Sequence, residues 1–215
     1  MSTHPPAPTF EYEQRLWQTG HRFVAGIDEA GRGALAGPVV AAAVIPPPNS
    51  HYAGVWTQVR DSKLLSPAAR EALEEAIQAA ALSWGVGQAT PAEIDAMGIA
   101  PATRLAMQRA IEELDPHPDY LLIDWVKLPR VNITQESRAK ADMHMVSVAA
   151  ASILAKVHRD RLMVALDARY PAYGFAGHKG YGVQAHLTAL EVHGPCPEHR
   201  HSFAPIAQRA SLFDG

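Results

Sequence analysis

The sequence predicts an α/β domain built on a mixed β-sheet with helices on its faces. Three observations carry this. The apolar runs "FVAGIDEA" and "GPVVAAAVIPP" are split only by a glycine loop, the pattern of two antiparallel neighbours. "DYLLIDW" is short and almost wholly apolar, as expected of a strand buried on both faces. Strand-like segments come first, and then alternate with helical ones. With 215 residues, 47% of them apolar and 19% charged, the chain suits one sizeable core and argues against disorder.

Each element follows from its own signals. "EYEQRLWQTG" reads as a short helix closed by Gly20. The first two strands follow, and the proline run Pro46 to Pro48 ends the second. "SPAAREALEEAIQAAA" starts a helix with Ser66 as N-cap and Pro67 at the first helical position. "LSWGVGQAT" fits a third strand, and "TPAEIDAMG" and "APATRLAMQRAIEEL" are helical segments parted by Gly98. After the strand ending at Asp124, the segment 141–170 has helical periodicity, with Asp142 at its head. "YGFAGHKGYG" breaks the pattern before a last helix, "VQAHLTALEVHG".

Composition sets further bounds. The sole cysteine, Cys196, excludes an intrachain disulfide and is compatible with a reducing compartment. No apolar run approaches the roughly 20 residues of a membrane span, and "MSTHPPAPTF" lacks the regions of a signal peptide, so a cytoplasmic protein is expected. The net charge of −3 does not advertise a polyanion partner. However, Arg138 to Lys179 holds seven Lys/Arg against three Asp/Glu. That stretch is either a nucleic-acid footprint or a solvated helix face.

Four acids stand out. Asp28 and Asp124 each follow a strongly apolar run, Glu29 adjoins Asp28, and Asp142 opens a helix. Buried together they would need a neutraliser, and Mg²⁺ accepts a few carboxylates plus waters and phosphate oxygens. Spacing alone leaves a second reading open, in which these acids make turns and helix caps. The loop Gly31, Arg32, Gly33 is likewise either a tight turn or a place where backbone and a forked guanidinium meet phosphate. No helix follows it, so it is not a dinucleotide fingerprint. His193, Cys196, His199 and His201 are zinc-ligand types, but their spacing matches no common structural site.

The blocks "AGIDEAGRGALAGPVV", "DSKLLS", "YLLID", "KADMHMVSVAAASILAKVHRD", "YGFAGHKGYGVQAH" and "HRHSFAP" together resemble the bacterial ribonuclease HII family, the type 2 ribonucleases H, from about Phe23 to Ile206. The resemblance implies an RNase H-like fold: a mixed five-stranded sheet flanked by helices, with a C-terminal helical region. It implies a metal-dependent endonuclease that cleaves RNA in RNA/DNA hybrids and single ribonucleotides embedded in duplex DNA. The products would carry 5′-phosphate and 3′-hydroxyl ends, and the activity would serve ribonucleotide and RNA primer removal. Asp28, Glu29, Asp124 and Asp142 match the carboxylates that hold two Mg²⁺ or Mn²⁺ ions with substrate bound. Gly31, Arg32 and Gly33 match a loop that senses the ribose 2′-hydroxyl, and Tyr181 matches the tyrosine that stacks on the following sugar. Lys63, Lys156, Arg159 and Lys179 are expected phosphate contacts.

The chain departs from the family pattern at Ala34, usually proline, and at Trp125, usually glycine. Ala141, Met145 and Val183 also differ from the common glycine, serine and threonine. The expected organisation is a tail and short helix over 1–20, a catalytic domain over 21–206 and a tail over 207–215. A monomer is expected. The ending "AQRASLFDG" has no evident sliding-clamp motif and reads as a frayed tail, with "SLFDG" the segment on which clamp binding would be tested.

Overall fold

The computed structural model describes residues 7–60, 62, 65–204 and 206–208. Lys63 and the "SLFDG" ending therefore lie outside the described residues. Helix α1 (Glu11–Gln18) leads into strands β1 (Val24–Ala30) and β2 (Val39–Ile45). Helix α2 (Pro67–Ala80), strand β3 (Ser83–Ala89) and helices α3 (Pro91–Met97) and α4 (Ile99–Glu112) follow. Strands β4 (Tyr120–Asp124) and β5 (Thr134–Arg138) precede the long helix α5 (Val146–Arg169), and α6 (Phe175–His178) and α7 (Gln184–His193) come last.

The local rules behind these elements are visible. Ser66 caps α2 by accepting from the Ala69 amide, with Pro67 at the first position. Thr90 and Glu93 form a reciprocal capping box on α3. Gly98 (φ 83°) separates α3 from α4.

The five strands lie in the order β3-β2-β1-β4-β5. β1 pairs antiparallel with β2 and parallel with β4, and β4 pairs parallel with β5. The sheet is mixed, as expected. Side chains alternate between its two faces, as the period of a strand requires. Val24, Ala42, Val44 and Leu122 pack with α5, while Ala25, Ile27, Ala43 and Ile123 pack with α4.

Glycine allows the closest approach on the α5 side. A β-carbon on Gly26 would stand 2.2 Å from the Ser147 carbonyl carbon, so α5 presses its backbone on β1. Glu13 ties α1 to the same place, its buried carboxylate accepting from the Ser147 amide at 2.8 Å and hydroxyl at 2.7 Å.

Two local details differ from the sequence reading. β5, "TQESR", has no apolar alternation because it is the outer strand, and composition gave no sign of it. Asp142 does not open the long helix. It sits on a separate 3₁₀ turn, Ala141–Met143, and α5 starts only at Val146. The turn is entered through Lys140 in the left-handed region (φ 62°).

Candidate active site

Parallel pairing of β1 and β4 places the first two acids side by side. Ile27 is in register with Ile123, and Asp28 and Asp124 are the next residues on their strands. Both share strand parity with Val24 and Leu122, so they stand on the α5 side. Asp124 then recruits a third acid, because its Oδ1 accepts from the Ala141 amide at 2.9 Å and so docks the turn carrying Asp142. Asp28, Glu29, Asp124 and Asp142 line one cleft of about 490 Å³, with the 31–33 loop and Tyr181 on its rim.

The electrostatics of this cleft are those of crowded, buried acids. Burial pushes the Asp28 carboxyl well above the usual range, and the neighbouring Glu29 and Asp124 charges push it further. The Glu29 amide opposes this by donating to Asp28 Oδ1 at 2.7 Å. Glu29 is also raised by burial, against an opposing hydrogen bond from the Trp125 indole. Ser152 helps hold Asp28 and shares a 3.0 Å hydroxyl contact with Ser62.

Among the described residues, no three carboxylate, imidazole or thiol groups stand close enough together to hold an ion as they are. The donor set nonetheless fits a hard divalent cation, since four carboxylates face one cleft and buried Glu29 Oε2 has no hydrogen-bond partner.

The 31–33 loop is held from beneath by two fully buried arginines. Arg200 donates to the carbonyls of Gly31 at 2.7 Å, Arg32 at 2.9 Å and Gly37 at 3.0 Å. Arg159 donates to those of Pro38 and Lys179 at 3.0 Å and Ala36 at 3.1 Å. Burial, and then the Arg159 charge, lower Arg200 to about 9, which leaves it cationic at neutral pH. Gly31 (φ 87°) is required twice, since a β-carbon there would stand 1.7 Å from Arg159 Nε. Gly33 has open space around it. Ala34 is fully buried, and its amide closes the turn onto the Gly31 carbonyl at 3.3 Å.

The tyrosine segment is laced to the same loop. The Leu35 amide donates to the Gly180 carbonyl at 2.8 Å, and Gly180 (φ 78°) passes so near Ala36 that a β-carbon would meet its carbonyl oxygen at 2.6 Å. His186 binds the Tyr181 carbonyl at 3.0 Å through Nδ1 and His199 at 3.0 Å through Nε2. The Tyr181 ring itself is exposed.

The basic residues divide. Lys156 lines the cleft and pairs with Asp160 at 2.7 Å. Lys179 binds the Ala176 carbonyl and borders an adjacent cavity with Arg70 and Arg161. Arg159 corrects the sequence reading: it has no exposed surface, and carbonyls take its donors, so it supports the loop from inside instead of meeting a phosphate at the surface. Sequence reasoning missed Arg200, although "HRHSF" was among the marked blocks. Nothing in one sequence distinguishes an arginine that faces solvent from one that solvates a loop. His199, considered beside Cys196 as a zinc-ligand type, accepts from the Cys196 amide at 2.9 Å and packs against Phe175.

A mixed five-stranded sheet with acids gathered at the ends of its two central parallel strands defines the RNase H-like class. The ribonuclease HII family model matches residues 25–206, and the chain belongs to that family. It is a hydrolytic nuclease, of the family that cleaves RNA within hybrid duplexes and at embedded ribonucleotides. It is 50% identical over 208 residues to a ribonuclease HII of Dehalococcoides mccartyi, covering 96% of each chain. Among solved structures it resembles ribonuclease H2 from Pyrococcus horikoshii at TM-score 0.75 and 26% identity, covering 89% of this chain and 98% of that one. It also resembles a PCNA:RNase HII complex from Archaeoglobus fulgidus at TM-score 0.69 and 27% identity, covering 82% and 91%.

Proposed function

We propose that the cleft hydrolyses phosphodiesters in the RNA strand of RNA/DNA hybrids and at single ribonucleotides embedded in duplex DNA, with specificity for RNA–DNA junctions, giving 5′-phosphate and 3′-hydroxyl ends. The observation that carries this is the gathering of four carboxylates beside the Gly31–Gly33 loop and Tyr181. Asp28, Glu29, Asp124 and Asp142 would hold two Mg²⁺ or Mn²⁺ ions. When bound, these would activate the attacking water and stabilise the departing 3′-oxygen. Water oxygen bonds to phosphorus as the bond to the 3′-oxygen breaks, and that oxygen leaves as a hydroxyl.

The chain's own residues would supply recognition. Arg200 binds the carbonyls of Gly31 and Arg32 from the buried side. Across a trans peptide the amide points opposite to its carbonyl. The amides of Arg32 and Gly33 are therefore turned away from the interior, where they would meet a 2′-hydroxyl, the group that distinguishes RNA. Gly33 leaves room for that sugar. The exposed Tyr181 ring would stack on the next sugar and disfavour a second hydroxyl. Lys156 and Lys179 would contact backbone phosphates.

The catalytic unit would be 21–206, flanked by 1–20 and 207–215, acting as a monomer in the cytoplasm. No described helix is long and apolar enough to cross a membrane. Because the Archaeoglobus relative was solved with PCNA, clamp binding by the C-terminal segment is a partner to test.

The deciding experiment compares a duplex containing one ribonucleotide with a continuous RNA/DNA hybrid, each with and without chelator. Junction cleavage that chelator abolishes is the expected result. Cleavage of the long hybrid alone would remove the junction specificity, and cleavage in chelator would remove the metal role.

A further inference from the structure

Trp125 sits where its backbone conformation disfavours it. It follows Asp124 at the end of β4 with φ 49°, in the left-handed region, where a bulky side chain is an outlier. Such strain persists only where surrounding contacts over-determine it. Two contacts do so here. The indole Nε1 donates to Glu29 Oε1 at 3.0 Å. The Arg32 guanidinium lies over the indole, its central carbon 3.6 Å from the ring centroid.

One side chain thus joins a carboxylate of the acid cluster to the arginine of the 31–33 loop. Each partner also keeps one buried polar atom without a hydrogen bond, Glu29 Oε2 and Arg32 Nε. The indole N–H holds one carboxylate oxygen and leaves the other to the cleft. The ring face fixes the plane of the guanidinium while leaving its edge for a ligand. Trp125 is not itself among the residues lining the cleft, so it acts through these two.

We propose that Trp125 is a positioning residue, presenting Glu29 Oε2 to a divalent cation and the Arg32 edge to a substrate phosphate. This rests on the reading of the cleft as a cation-dependent nuclease centre. Hydrogen-bond partners behind a ligating carboxylate commonly carry 10–100-fold in metal affinity, which sets the scale expected.

The test uses the full chain as wild type, Trp125→Phe and Trp125→Gly. Mn²⁺ is titrated calorimetrically without nucleic acid, and cleavage of a single-ribonucleotide duplex is then measured at saturating Mn²⁺. Trp125→Phe keeps an aromatic face and loses only the N–H donor. Its Mn²⁺ dissociation constant is expected to rise about tenfold, with substrate KM nearly unchanged. Trp125→Gly relieves the backbone strain and removes the ring, so it folds, shows the same loss of Mn²⁺ affinity and adds a rise in KM of about fivefold. Mn²⁺ affinity in Trp125→Phe within about threefold of wild type overturns the proposal, as does an unchanged KM in Trp125→Gly. Wild-type protein that takes up no Mn²⁺ and cleaves in chelator overturns the underlying reading as well, and so separates the two failures.

Discussion

Arg200 donates to the Gly31 carbonyl at 2.7 Å from a side chain with no exposed surface. The last motif of the chain therefore shapes its first. Asp95 on α3 holds that motif in place, accepting from the His201 and Ser202 amides at 2.9 and 2.8 Å.

Removing the Arg200 donors should cost both stability and recognition. Arg200→Ala removes one of two donors from the Gly31 carbonyl and the Arg200 donor from those of Arg32 and Gly37, and each buried group left unpaired costs about 1–3 kcal/mol. Arg200→Lys keeps the charge but not the fork. It should fold with a lowered melting temperature and lose preference for a single ribonucleotide over all-DNA duplex, read from paired cleavage assays. Unaltered preference in Arg200→Lys would show that the loop holds its shape unaided.

The two loop glycines should respond differently. Gly31→Ala places a β-carbon 1.7 Å from Arg159 Nε and forces φ 87° on an alanine, so a clear drop in thermal stability follows. Gly33→Ala meets nothing within 4 Å. It should melt within about 0.5 kcal/mol of wild type yet raise KM, because the added methyl obstructs only substrate. Equal stability of the two variants would contradict this division.

Asp28→Asn is expected to separate stability from activity. The neutral isostere removes a buried charge that Glu29 and Asp124 both disfavour. Without added divalent ion the variant should be more stable than wild type, by urea unfolding. Cleavage should fall by at least about a hundredfold while duplex binding persists. A variant that cleaves normally would remove Asp28 from the catalytic set.

The histidine contact under Tyr181 predicts acid sensitivity. Burial, then the His186 ring, lower His199 to about 4, so the fold holds it neutral. The unfolded chain, with an ordinary value near 6.5, binds the proton first. Stability is therefore full above about pH 6.5 and falls as pH drops towards about 4, by up to about 3 kcal/mol. Urea midpoints across that range check it. His199→Asn should flatten the slope; an unchanged slope would place the acid sensitivity elsewhere.

Much of this was legible in sequence. Strand identity was readable at β1, β2 and β4 because burial on both faces leaves uninterrupted apolar runs, and α2 and α3 announced themselves through Ser66, Pro67 and Thr90. The acids were visible because a carboxylate ending an apolar strand is costly without a reason. β5 was not readable, because an outer strand written "TQESR" has no burial pattern to betray it. Nor was the turn carrying Asp142, since its placement comes from a hydrogen bond to Asp124, 17 residues away.

What the sequence alone marked was a set of residues, the acids, the glycine loop and the tyrosine that match the ribonuclease HII pattern. Only the tertiary structure decided how they are held. Arg159 and Arg200 have the same chemistry as any surface arginine, and they became loop supports because packing denied them water and offered carbonyls instead. Trp125 joined Glu29 to Arg32 for the same kind of reason. Residue type states which interactions a side chain can make, but burial and register select among them.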